Sequence, residues 1–157
     1  MNDTSNTRAA NAIATVFGIG FVRPAPGTAA SVVALPVAWL IAAFLGRWWL
    51  VLAAIAVLAV GAWACEIYAR SKGDPDPSEC VIDEVAGQWI ICAFAPVSIL
   101  AYVVAFILFR LFDILKPWPI NIVEKEVPGG LGIMADDVVA ALMGAIILIV
   151  LTQLGLL

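Results

Sequence analysis

No histidine occurs anywhere in the 157 residues, which excludes any mechanism that needs an imidazole nucleophile and removes the usual nitrogen ligand of zinc. Cysteine is nearly as scarce. Cys65, Cys80 and Cys92 are an odd number without metal-ligand spacing, so they read as small apolar side chains. Asp, Glu, Lys and Arg together make up only 13% of the chain, about half the usual quarter of a soluble domain. An ordinary soluble fold is thereby excluded. No basic stretch with interleaved aromatics suggests nucleic-acid binding, and the sequence has no internal repeat or low-complexity tail.

What the chain has instead is hydrocarbon. Apolar residues make up 64% of it, its mean hydropathy is +1.06, and residues 24–46, 48–65, 85–109 and 138–157 are uncharged runs. Each approaches or exceeds the roughly 20 residues that cross about 30 Å of hydrocarbon as helix. The third run carries Pro96 followed by Val97 and Ser98; proline disrupts a helix interior, so two helices joined by a turn are expected there. The composition therefore predicts an all-α fold, a polytopic membrane helical bundle of about five crossings forming a single domain over residues 1–157. A short N-terminal interfacial or re-entrant helix is expected within residues 11–21. Residues 9–22 resemble the apolar part of a signal peptide, but the continuation Arg23-Pro-Ala-Pro-Gly27 suits a turn at the membrane surface.

Residues 1–8 are polar and expected to be loose. Thr28 or Ser31 is placed to cap the first crossing helix, and Ser78 the third. Ala30, Ala34, Ala38 and Ala42 recur every four residues, with Ala140, Ala141, Gly144 and Ala145 giving the last helix a similar face. Small stripes of this kind let lipid-embedded helices approach closely. Residues 116–135, with three prolines and a glycine cluster, read as a loop that delivers the last helix at Asp136. Arg8, Arg23, Arg70, Lys72, Arg110, Lys116 and Lys125 fall on one side of such a bundle and Arg47 on the other. That asymmetry puts the N-terminus in the cytoplasm.

Asp83-Glu84, Asp113 and Asp136-Asp137 then share the cytoplasmic edge, each beside a long uncharged stretch. A carboxylate next to hydrocarbon costs several kcal/mol unless it is paired, metal-bound or held at the water boundary. Adjacent acids on a helix point about 100° apart, so one pair alone does not enclose a small ion. Oxygen ligands without histidine favour a hard cation, Mg2+ above Zn2+. Magnesium also binds phosphate oxygens, and Arg110, Lys116 and Arg23 are available to neutralise a phosphorylated substrate. Two familiar phosphate chemistries fit poorly: residues 65–70 are one residue short of a phosphate-cradling cysteine loop, and DPDPS at 74–78 lacks the preceding strand of aspartyl-phosphate enzymes. Asp76 in that segment stays open as a further ligand or loop organiser.

Four segments carry a specific likeness: GIGFVRPAPGTAAS at 18–31, IDEVAGQWI at 82–90, FRLFDILKPWPI at 109–120 and GGLGIMADDVVA at 129–140. With them the chain resembles the bacterial phosphatidylglycerophosphatase A family over roughly residues 11–150. It departs from the family at Ala30, where glycine is typical, and at Arg23, where proline is common. The resemblance implies a Mg2+-dependent enzyme of the bacterial inner membrane, with its active site facing the cytoplasm. It would remove the terminal phosphate of phosphatidylglycerol phosphate among the membrane phospholipids. Asp83, Glu84, Asp113, Asp136 and Asp137 match the family's acidic catalytic and metal positions, with Asp76 as a further match. Arg110 and Lys116 are matched too; they, with Arg23 and Thr28, are the expected substrate-binding residues. Two other functions compete, a magnesium channel or carrier built from several copies and a CDP-alcohol lipid phosphotransferase. The first needs acids spread through the bilayer depth; the second needs an Asp-Gly-x-x-Ala-Arg core that is missing. Assembly as a homo-oligomer stays open.

Overall fold

Hydrocarbon offers no partner to backbone N–H and C=O groups, so a chain this apolar must satisfy them inside helices. The computed structural model describes the backbone of residues 3–157 and the side chains of residues 5–123 and 125–157. Its helices are Asp3–Ala14 (α1), Pro26–Phe44 (α2), Arg47–Lys72 (α3), Ile82–Ala93 (α4), Ile99–Leu115 (α5), Ile120–Glu126 (α6) and Gly129–Gln153 (α7), with a 3-10 turn at Ile19–Phe21. No strand occurs among the described residues. Three helices, α2, α3 and α7, are long and apolar enough to cross a membrane. The 17-residue α5 and 12-residue α4 reach about 25 and 18 Å at a helical rise of about 1.5 Å per residue.

The break expected at Pro96 is present. Helix α4 ends at Ala93, α5 starts at Ile99, and the Ser98 hydroxyl accepts the Ala101 N–H at 3.1 Å as its N-cap. Other expected caps are not used. Helix α2 begins with Pro26 and no side-chain cap, because proline supplies a helical φ and no orphan N–H. Ser31 instead donates to the Gly27 carbonyl at 3.0 Å, and α4 starts after Val81 rather than at Ser78. At the N-terminus, α1 already begins at Asp3, so residues 3–8 are helical rather than loose; residues 1–2 lie outside the described residues. Ala10 and Ala14 bury that helix against α3.

The small-residue stripes sit where close packing needs them. Ala30, Ala34, Ala38 and Ala42 are buried, and α4 and α5 each anchor on that face. The Trp89 indole N–H donates to the Ala34 carbonyl at 3.0 Å, and the Tyr102 hydroxyl to the Ala38 carbonyl at 3.5 Å. On the opposite side of the core, Ala140, Ala141, Gly144 and Ala145 let α7 pack among α3, α4 and α5.

The largest correction concerns the start of α7. The segment expected to be a loop holds α6, and α7 begins at Gly129, seven residues before Asp136. Glycine disfavours isolated helix, but here its missing side chain is what the packing requires. A Cβ on Gly130 would collide with the Ala62 carbonyl, and one on Gly132 with the Val127 carbonyl. Asp136 and Asp137 consequently lie well inside a helix, beyond the reach of its positive end.

Candidate active site

Helix α4 opens with Asp83 and Glu84 in its first turn, where the unpaired N–H groups and the dipole favour negative charge. The third acid arrives from α7. One carboxylate oxygen each from Asp83, Glu84 and Asp137 all lie within 4.8 Å of one another. Asp83 Oδ1, Glu84 Oε2 and Asp137 Oδ2 are buried without a hydrogen-bond partner. Buried acceptors in that state are costly, and a cation among them would satisfy all three. Oxygen-only ligands at this spacing fit a hard divalent ion.

The other acids of the edge are already engaged with bases. Asp136 Oδ2 accepts from Lys116 Nζ at 2.7 Å, while its Oδ1 accepts the Asp137 backbone N–H at 3.0 Å. Lys116 ends α5 in the left-handed region at φ 42°, a conformation uncommon for a residue with a side chain. Arg110 Nη1 stands 2.6 Å from Asp113 Oδ2 and 3.7 Å from Glu84 Oε1, all three side chains being mostly buried. The arrangement is thus three carboxylates open to a cation, flanked by a guanidinium and an ammonium that other carboxylates hold in place.

Gly27 permits this closeness. A Cβ there would run into the Glu84 carboxylate and stand 3.2 Å from Arg110 Nη2. The acids open into a cavity of about 290 Å³ that Asp76, Cys80, Asp113, Lys116 and Asp136 also line. Cys80 is no thiolate nucleophile: its hydrogen bond with Cys65 and its burial push the thiol far up. All three cysteines are free and buried. The structure sets Arg23 apart from the acids, mostly exposed and 4.0 Å from Glu79. Thr28 lies half-buried in the first turn of α2, beside Gly27 but outside the lining of the acid cavity. Asp76 lines that cavity from the α3–α4 connection, where its N–H donates to Asp74 Oδ1 at 3.1 Å.

One contributor left no mark in the sequence. Glu66 of α3 accepts the Gly130 N–H at 2.7 Å through Oε2 and pairs with Arg70 at 2.6 Å through Oε1. In the sequence it forms a routine i,i+4 ion pair. In the structure it caps another helix, the one that carries Asp137.

Comparison with known proteins supplies the family. The sequence profile of "PgpA: Phosphatidylglycerophosphatase A" matches residues 12–152. The chain belongs to the phosphatidylglycerophosphatase A family. The Escherichia coli phosphatidylglycerophosphatase A is 36% identical over 87% of this chain and 79% of its own length. A Haemophilus influenzae relative of the same name is 36% identical over 86% and 83%. A Bacteroides thetaiotaomicron protein, provisionally named phosphatidylinositol-3-phosphatase, is 38% identical over 88% and 90%. No solved structure matches the chain. Membership of this family and the membrane-length helices make the chain a membrane-bound phosphatase.

Proposed function

We propose that the chain hydrolyses the terminal phosphomonoester of phosphatidylglycerol phosphate, releasing phosphatidylglycerol and inorganic phosphate, with Mg2+ as cofactor. The observation that carries this reading is the trio of unpartnered carboxylate oxygens on Asp83, Glu84 and Asp137, in a family named for that reaction. These three residues would hold the ion. When bound, it would supply charge neutralisation at the phosphoryl oxygens and a more acidic water. Arg110 and Lys116 bind and orient the phosphoryl group, and the carboxylates of Asp113 and Asp136 fix those two cations in place. Hydrolysis by water suits this set better than a covalent aspartyl intermediate, because the acids are needed to bind cations. Asp76 belongs at the outer edge of the metal cavity as a further ligand.

The membrane placement follows the same reading. Helices α2, α3, α5 and α7 cross, α4 spans most of the core as a fifth and shorter segment, and the acids face the cytoplasm of a bacterial inner membrane within one domain. Basic residues concentrated at the acidic end support that orientation. Crowding of the acids at one end also speaks against an ion channel, which would need them along the path.

A phosphoinositide is the second substrate reading, favoured by the name of the Bacteroides relative. Both lipids carry the phosphomonoester on a head group joined to diacylglycerol through a phosphodiester. Phosphate release from each lipid by the purified chain, with Mg2+ and with a chelator, tests the proposal. Faster release from phosphatidylglycerol phosphate, abolished by the chelator, is expected. Release that persists in the chelator, or none from either lipid, would end it.

A further inference from the structure

The space beside the acids does not stop at Asp136. A second cavity, also about 290 Å³, shares Asp76, Ile133 and Asp136 with the first and continues to Lys125, Val127 and Gly129. Lys125 lies in the last turn of α6. Among the described residues it has no ion-pair partner, whereas Lys116, which lines the first cavity, and Arg110, which pairs with Asp113 and Glu84 beside it, are both engaged. Asp136, on the boundary between the lobes, is neutralised by Lys116. The far lobe therefore offers one uncommitted positive charge. Ile122 on α6 and Leu131 in the first turn of α7, the two helices that contribute to its lining, carry exposed apolar side chains, as does Trp118 just before α6. Such side chains are expected where a protein meets the membrane interface.

A lipid reacting at the acids must leave its acyl chains in the hydrocarbon while its terminal phosphate reaches Asp83, Glu84 and Asp137. Its phosphodiester must rest between the two. We infer that the second lobe is a phosphodiester subsite, with Lys125 the residue that recognises the internal phosphate of the head group. This rests on the phosphatase reading above, and it adds a discrimination that the acids cannot provide. They take any phosphomonoester, whereas Lys125 adds affinity only for lipids carrying a second phosphate between the head group and the acyl chains. Lys125 is thus a specificity-determining residue rather than a catalytic one.

The test uses the full-length chain in mixed micelles, with Lys125→Gln and Lys125→Arg beside the wild type. Loss of one partly exposed charge-assisted contact should raise KM for phosphatidylglycerol phosphate by about tenfold with kcat little changed. Lys125→Arg should restore most of the loss. Inorganic phosphate, which probes the acid lobe alone, should inhibit wild type and Lys125→Gln equally. An unchanged KM, a fall in kcat alone, or phosphate inhibition weakened in parallel would overturn the subsite. Wild-type protein that releases no phosphate from the lipid would instead refute the activity itself, and the subsite with it.

Discussion

Glu66 and Gly130 join two helices that are far apart in sequence: the carboxylate of one accepts the backbone N–H of the other at 2.7 Å. Helix α7 has no side-chain cap of its own, since Pro128 occupies the capping position. The carboxylate from α3 satisfies a first-turn donor that would otherwise be orphaned. The bond fixes where α7 starts along α3, and hence where Asp136 and Asp137 stand two turns further on.

Glu66→Ala should therefore lower activity without touching the acids. Loss of this bond should lower the thermal midpoint and raise the Mg2+ concentration needed for half-maximal rate. Glu66→Gln keeps an acceptor and should recover most of both. Equal Mg2+ dependence in wild type and Glu66→Ala would show that the bond does not position Asp137.

The two members of the α7 pair should differ. Asp137 joins the unpartnered trio, whereas Asp136 is bound to Lys116. Asp137→Asn is expected to cut kcat by about a hundredfold or more, and Asp136→Asn to act mainly through KM by loosening Lys116. Initial-rate kinetics over a range of lipid mole fractions separate the two. The reverse ranking would mean that the wrong acid has been placed in the metal shell.

Metal-free protein offers an independent check. Three buried carboxylates without a counter-ion repel one another and lose hydration, so Asp83→Asn in chelator should unfold at the same temperature as wild type or higher. Added Mg2+ should then raise the wild-type midpoint and leave the variant behind, since only binding to the folded state stabilises. Parallel shifts in the two proteins would contradict the assignment.

Gly27→Ala tests the packing that brings α2 against the site. Its Cβ would enter the space of the Glu84 carboxylate, and overpacking of this kind costs about 1–3 kcal/mol. The displaced group here is a candidate ligand, so activity should fall further than stability. Ala30→Gly, three residues along and fully buried, should cost about 1–2 kcal/mol and leave kcat intact.

Much of this arrangement can be read from residue order alone. Pro96 marks the break between α4 and α5, the alanine spacing marks the packed face of α2, and the acids are gathered at one end by the length of the hydrophobic runs. Tertiary contact decided the rest. Pro128 and the glycines at 129, 130 and 132 signal a loop locally, yet they build the first turn of α7 because α3 and Val127 leave no room for side chains. The same shift removes Asp136 and Asp137 from a helix start and turns only one of them toward Asp83. Helical spacing alone could not choose between adjacent residues without knowing which neighbour each faces. Glu66 was invisible for a related reason, because its nearest basic residue, Arg70, already explains it.

Calorimetric titration of Mg2+ into the purified chain tests the metal trio most directly. The wild type should bind saturably, and the combined variant Asp83→Asn, Glu84→Gln and Asp137→Asn, shown folded by its helical circular dichroism, should give no binding heat. Undiminished Mg2+ binding by that folded variant would contradict the proposed site.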